Sequence, residues 1–190
     1  MQYRWIKDSF NYDGTQLRSL YAYLEHGLLG DSVVAWAGPC QIDFQHMVDG
    51  EDLLAQSPIT GDRMLHFIVE KFDCPLWGAV ALQRLMASLC QDLVAEMGLV
   101  DKGCRDLRRE GDDLYLGENK LSISIATQSP VSSLIHFAVN LTNEGTPVPT
   151  LCLQDLGVQG ESEFAEKLMD RLCQEVESIT QATRKVKWVR

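Results

Sequence analysis

The sequence predicts an α+β protein in which a mixed, largely antiparallel β-sheet packs with helices, and three observations carry that prediction. Two long stretches, residues 73–98 and 161–182, repeat apolar side chains at helical spacing. Several shorter stretches alternate apolar and polar residues with the period of a strand. The two kinds follow one another without the regular strand–helix–strand rhythm of a parallel sheet. At 190 residues, with no low-complexity linker, one domain spanning residues 1–190 is expected.

A strand-like segment leads the chain. Asp13-Gly14-Thr15 then supplies a turn and an N-cap for a helix carrying Leu17, Leu20, Tyr21, Leu24 and Leu28, which should stop at Gly27 to Gly30. Residues 32–37 read as an apolar strand that ends at Gly38-Pro39-Cys40, because proline cannot donate to a ladder. Asp49, Glu51 and Asp52 precede Leu53-Leu54 and suggest a short helical turn with acids at its positive end. Residues 64–70 form a strand that puts His66, Ile68 and Glu70 on one face, so a buried histidine beside a carboxylate is expected there, either a structural pair or a site.

Asp73-Cys74-Pro75 opens the longest internal helix, whose stripe is Leu82, Leu85, Met86, Leu89, Leu93 and Met97 and whose end is Gly98. Residues 114–116 and 121–126 read as a hairpin closed by Gly117-Glu118-Asn119. In its second arm Leu121, Ile123 and Ile125 share one face, and Lys120, Ser122 and Ser124 the other. The run 133–141 alternates likewise, with Ile135, Phe137, Val139 and Leu141 opposed to His136, Ala138 and Asn140. If the apolar faces share a core, Lys120, Ser122, Ser124, His136 and Asn140 collect on the opposite face. That face is either the wet side of an antiparallel sheet or a polar floor under a ligand. An extended segment at 148–153 and a final helix from Glu161 to Ala182 complete the order, with Phe164, Leu168, Leu172, Val176 and Ile179 inward.

Composition limits the function. The formal charge is −10 and the pI near 4.8, so the surface repels nucleic-acid backbones and anionic lipid; the basic run 184–190 reads as a chain end. No apolar run approaches the roughly 20 residues that span a bilayer. The first residues lack a signal-peptide core, so a cytoplasmic protein is expected. Six cysteines lie far apart without a Cys-x-x-Cys pair, which suggests neither metal site nor redox pair. Phosphate-loop, dinucleotide, nucleophile-elbow and zinc-helix signatures do not occur. The assembly expected for a soluble chain of this size is a two-fold homodimer.

The runs at 62–70, 83–85, 111–115, 120–127 and 135–137 resemble a prokaryotic family catalogued as a domain of unknown function, number three-six-six. That resemblance implies a fold similar to the biotin and lipoate protein ligases and octanoyltransferases, relatives of the class II synthetase core. It implies no established activity and names no cofactor. Residues 109–120 are similar to the ligase segment in which a short hairpin leads to a reactive-site lysine, which places Lys120 at the site with Asp112 and Asp113 before it. His136-Phe137-Ala138-Val139-Asn140-Leu141 and Cys152 stand where the transferases carry a histidine strand and a nucleophilic cysteine. Nothing matches the glycine-rich Arg-Arg-x-x-Gly-Gly loop of the ligases.

Two functional readings follow. In one the chain handles an acyl group or acyl-adenylate on a small molecule or carrier protein. Lys120 then polarises a carbonyl or phosphate, Cys152 serves as nucleophile with its thiolate favoured by the ammonium, and His66, Asp112, Asp113, Ser122, His136 and Asn140 bind substrate. In the other it is a non-catalytic small-molecule binder or assembly protein that retains the fold.

Overall fold

The computed structural model describes residues 1–189. Strands β1 (Gln2–Trp5), β2 (Ser32–Gln41), β3 (Thr60–Phe72), β7 (Ser122–Gln128) and β8 (Ser132–Asn140) form a five-stranded sheet in the order β1-β2-β3-β8-β7. Only β1 runs parallel to its neighbour; the other pairs are antiparallel. A second, three-stranded sheet contains β4 (Arg108–Glu110), β5 (Asp113–Leu116) and β6 (Asn119–Lys120). Four α-helices complete the order: α1 (Tyr21–His26), α2 (Gly50–Ala55), α3 (Leu76–Met97) and α4 (Glu161–Arg184). The α+β class read from the sequence is the class observed.

Helices α3 and α4 cover one face of the large sheet, α3 over β7 and β8 and α4 over β1 and β2. Phe67, Phe137, Val139 and Ile135 point into that layer and meet Met86, Leu93, Phe164 and Leu168. Each such side chain contributes roughly 1.5–3 kcal/mol when fully buried. The other face is covered at one end only. There Tyr12, Tyr21 and Leu28 pack on Val34, Trp36 and Ile68. The remaining part of that face is open to the pocket described below.

Several boundaries differ from expectation, each for a local reason. The first helix is short because Leu20 adopts a left-handed conformation, φ 62°, immediately before it. Both carboxylate oxygens of Glu70 accept the Leu20 N–H, at 2.9 and 3.0 Å, which holds that conformation in place. Strand β2 continues past Gly38-Pro39 to Gln41 because the proline occupies a register shift between Gly38 and Cys40. Residues 148–153 form no strand; Thr150 makes an isolated bridge to Lys120.

The hairpin is the largest correction. Beyond the turn at Gly117, only Asn119 and Lys120 pair with β5. At Leu121 the chain leaves the small sheet, and β7 joins the large one. That break resets the alternation. Leu121 enters the helix-side core, while Ile123 and Ile125 turn to the opposite face and stand across from Ala138 and His136. Ser122 and Ser124 stand across from Val139 and Phe137 on the helix-covered face, so they do not share a face with His136 and Asn140.

Gly38 makes room for the chain that crosses it. A Cβ there would lie 2.0 Å from the Phe10 carbonyl oxygen, the atom that accepts the Trp36 indole N–H at 3.0 Å. Gly38→Ala should therefore destabilise the fold by roughly 1–3 kcal/mol, seen as a lower urea midpoint at unchanged m-value.

Candidate functional site

The open part of the sheet forms the floor of a pocket of about 410 Å³. Met64 from β3, Ile123 and Ile125 from β7, and His136 and Asn140 from β8 project into it. One wall is supplied by residues 42–60, including α2, and another by residues 146–150. The Asp49 side chain caps α2 by accepting the Glu51 and Asp52 amides. That cap holds Asp49 and Asp52 at the pocket rim.

Lys120 borders the pocket where the two sheets meet. Its Nζ lies 2.7 Å from Asp113 Oδ2 and 5.9 Å from the centre of the Tyr115 ring. Burial pulls the ammonium pKa down, while the hydrogen bond and charge of Asp113, with Tyr115 and Asp112 beside it, raise it, and the net shift is upward. Burial raises the Asp113 carboxyl pKa, Lys120 lowers it and the neighbouring Asp112 raises it again, for a net upward shift. The surroundings are strongly acidic, since Asp49, Glu51, Asp52, Asp112 and Asp113 all line the pocket.

The remaining residues singled out in the sequence have separate tasks. Asn140 donates through Nδ2 to the carbonyl oxygens of Lys120 and Leu151, both at 3.1 Å, so its amide donors hold backbone. Asp112 Oδ2 accepts from Gln83 Nε2 and Ser124 Oγ, both at 2.8 Å. Ser122 is buried beneath the sheet and accepts the Leu114 N–H through Oγ at 3.0 Å, a link between the two sheets. Cys152 does not line the pocket; its thiol donates to Asp155 Oδ2 at 3.2 Å. Burial and that carboxylate push the thiol above its ordinary range, the reverse of what a neighbouring ammonium would do.

His66 is fully buried, and its partner is not Glu70, whose carboxylate accepts from Leu20 and from Ser132 Oγ. Instead His66 Nδ1 lies 3.1 Å from His136 Nε2 and His66 Nε2 lies 3.2 Å from the Gly38 carbonyl oxygen. Tyr12 stacks on His136 with ring centroids 3.7 Å apart, and Trp36 stacks on His66. Burial lowers the His66 pKa to about 4. Burial, with His66 beside it, also holds His136 well below the usual range.

Sequence reasoning missed Tyr12, Met64, Ile123 and Ile125 and the whole 42–60 wall. An apolar alternation marks a pocket floor and a packed core in the same way, so Ile123 and Ile125 carried no separate signal.

The buried histidines make stability depend on pH in one direction. On unfolding each imidazole returns to an ordinary value near 6.5 and takes up a proton that the folded state excludes. Their contribution is complete above about pH 6.5 and is lost as pH falls below it, for His66 down to about 4, at about 1.4 kcal/mol per pH unit for each ring. The melting temperature should fall over that interval and fall less steeply in His66→Gln. An equal slope in the variant would remove His66 from the account.

Comparison with known proteins agrees with this architecture. A solved protein of unknown function from Pyrococcus horikoshi is 36% identical, with a TM-score of 0.90, over 99% of this chain and 100% of its own. Biotin protein ligase from Aquifex aeolicus, solved with biotin and ATP, has a TM-score of 0.58 at 14% identity, covering 95% of this chain and 72% of that one. Lipoate-protein ligase A, solved with ATP, has a TM-score of 0.59 at 15% identity, covering 93% and 86%. At such identities the likeness is one of fold: the chain has the biotin/lipoate protein ligase fold. The family model that matches is a domain of unknown function, DUF366, and with residues 1–187 aligned to it the chain belongs to that family.

Proposed function

We propose that the chain binds the acyl group of a small molecule, with the apolar chain on Met64, Ile123 and Ile125 and the carbonyl oxygen at Lys120. The observation that carries this reading is the placement of one half-buried ammonium beside the apolar part of the floor, Met64, Ile123 and Ile125. Asp113 occupies one face of that ammonium, and Lys has three donors. A further hydrogen bond to a carbonyl oxygen is therefore compatible with the ion pair.

The acidic rim narrows the ligand class. Five carboxylates around a single paired lysine disfavour a free carboxylate or phosphate and favour a neutral acyl ester or thioester. A covalent thioester on Cys152 finds no support, because that thiol lies outside the pocket beside Asp155. Binding, with any transfer made directly to an incoming nucleophile, is the better reading. Ligand-induced thermal stabilisation without product identifies a binder, and turnover identifies an enzyme.

Titration calorimetry with methyl octanoate tests the assignment. A charge-assisted hydrogen bond in a partly dry site contributes roughly 1.5–3 kcal/mol, so Lys120→Met should weaken binding by about tenfold to a hundredfold. Lys120→Arg should not restore it, since a planar fork does not replace a compact ammonium. Unchanged affinity in Lys120→Met would remove Lys120 from the site.

A further inference from the structure

A ring nitrogen at the far end of the floor has no protein partner. The Gly38 carbonyl can only accept, so His66 Nε2, 3.2 Å away, carries the proton. In neutral His66 the other nitrogen is then a bare lone pair. His136 Nε2, 3.1 Å from it, must be the donor. The single proton of neutral His136 is thereby committed to Nε2, and its Nδ1 is left as an acceptor.

That nitrogen makes no hydrogen bond among the described residues, although His136 lines the pocket and is only 2% exposed. The Tyr12 hydroxyl, on the ring stacked against His136, is likewise without a hydrogen bond among the described residues, and Tyr12 is 1% exposed. Neither atom is among the fully buried unpaired ones, so both touch the pocket space, and a ligand that displaces the water there must supply a partner or leave a polar atom desolvated. Burial keeps both imidazoles neutral, as the relay requires.

We propose that this end of the pocket selects a ligand bearing a neutral hydrogen-bond donor, a hydroxyl or an amide N–H, which donates to His136 Nδ1. Resting on the acyl reading above, this makes the ligand an acyl chain functionalised at its far end. Asn140, beside Lys120, and His136 are four residues apart on β8, about 13 Å at the rise of a strand. A carbonyl placed against His136 Nδ1 would set lone pair against lone pair. His66 is a positioning residue: it fixes which nitrogen of His136 holds the proton.

Two esters without other donors provide the test, methyl ω-hydroxyoctanoate and methyl octanoate, titrated into the parent and into His136→Phe. In the parent the hydroxylated ester should bind about threefold to tenfold more tightly, and in the variant, which keeps a ring on Tyr12 but offers no acceptor, the order should reverse. Long-range nitrogen–proton correlation spectra of the parent supply a readout that does not depend on the variant's folding. They should show His136 protonated at Nε2 and bare at Nδ1, with the Nδ1 resonance moving when the hydroxylated ester is added. A protonated Nδ1 in the free protein, or equal binding of the two esters, overturns this inference alone. Failure of both esters to bind overturns it together with the acyl reading.

Discussion

The two hydrogen bonds from Asn140 Nδ2 to the carbonyl oxygens of Lys120 and Leu151 lock together three parts of the chain whose backbones meet at that point. The first belongs to the end of the small sheet, the second to the loop after residue 146, and Asn140 itself ends β8. Backbone bonds converge on the same place: Asn140 N–H to the Leu121 carbonyl, and Leu153 N–H to the Asn140 carbonyl. A buried amide with both donors engaged is favourable, and the same amide with a missing partner leaves a desolvated group. The junction is therefore specified tightly, and with it the position from which Lys120 enters the pocket.

The crossing at Leu121 gives the large sheet its second chemical surface. Had the strand continued unbroken, Ser122 and Ser124 would face the pocket and Ile123 the helices. The break reverses this, so Ser122 serves the interior by accepting the Leu114 amide, and Ser124 reaches Asp112 at the pocket's edge. The pocket receives the isoleucines.

Much of the scaffold was legible in the sequence because long amphipathic patterns persist over many residues. The stripe ending at Met97 and the one from Phe164 onward became α3 and α4, and the fold class followed from their order. Local interactions made by distant partners were not legible. Leu20 interrupts a helical pattern because of a carboxylate fifty residues away, and no window of sequence contains both. At the site, Lys120, His136 and Asn140 were found by alternation and resemblance and do border one pocket. Ser122 was misplaced because alternation was carried through a break, and Cys152 because its Asp155 neighbour was not weighed against the distant lysine. Tyr12 gave no sign, since its place over His136 comes from the packing of the N-terminal segment on the sheet.

The irregularity in β2 has a consequence for how the pocket could change over generations. Pro39 follows Gly38 at the register shift, and the Gly38 carbonyl is the atom against which His66 is oriented. The polarity that His136 offers to the cavity is thus set two rings away, by backbone. A replacement at His136 alone alters the reader and leaves the writer in place, whereas straightening the bulge could exchange donor for acceptor with every pocket-lining side chain unchanged. Among relatives of this chain, the polarity of the cavity can therefore differ through a part of the strand that does not line it.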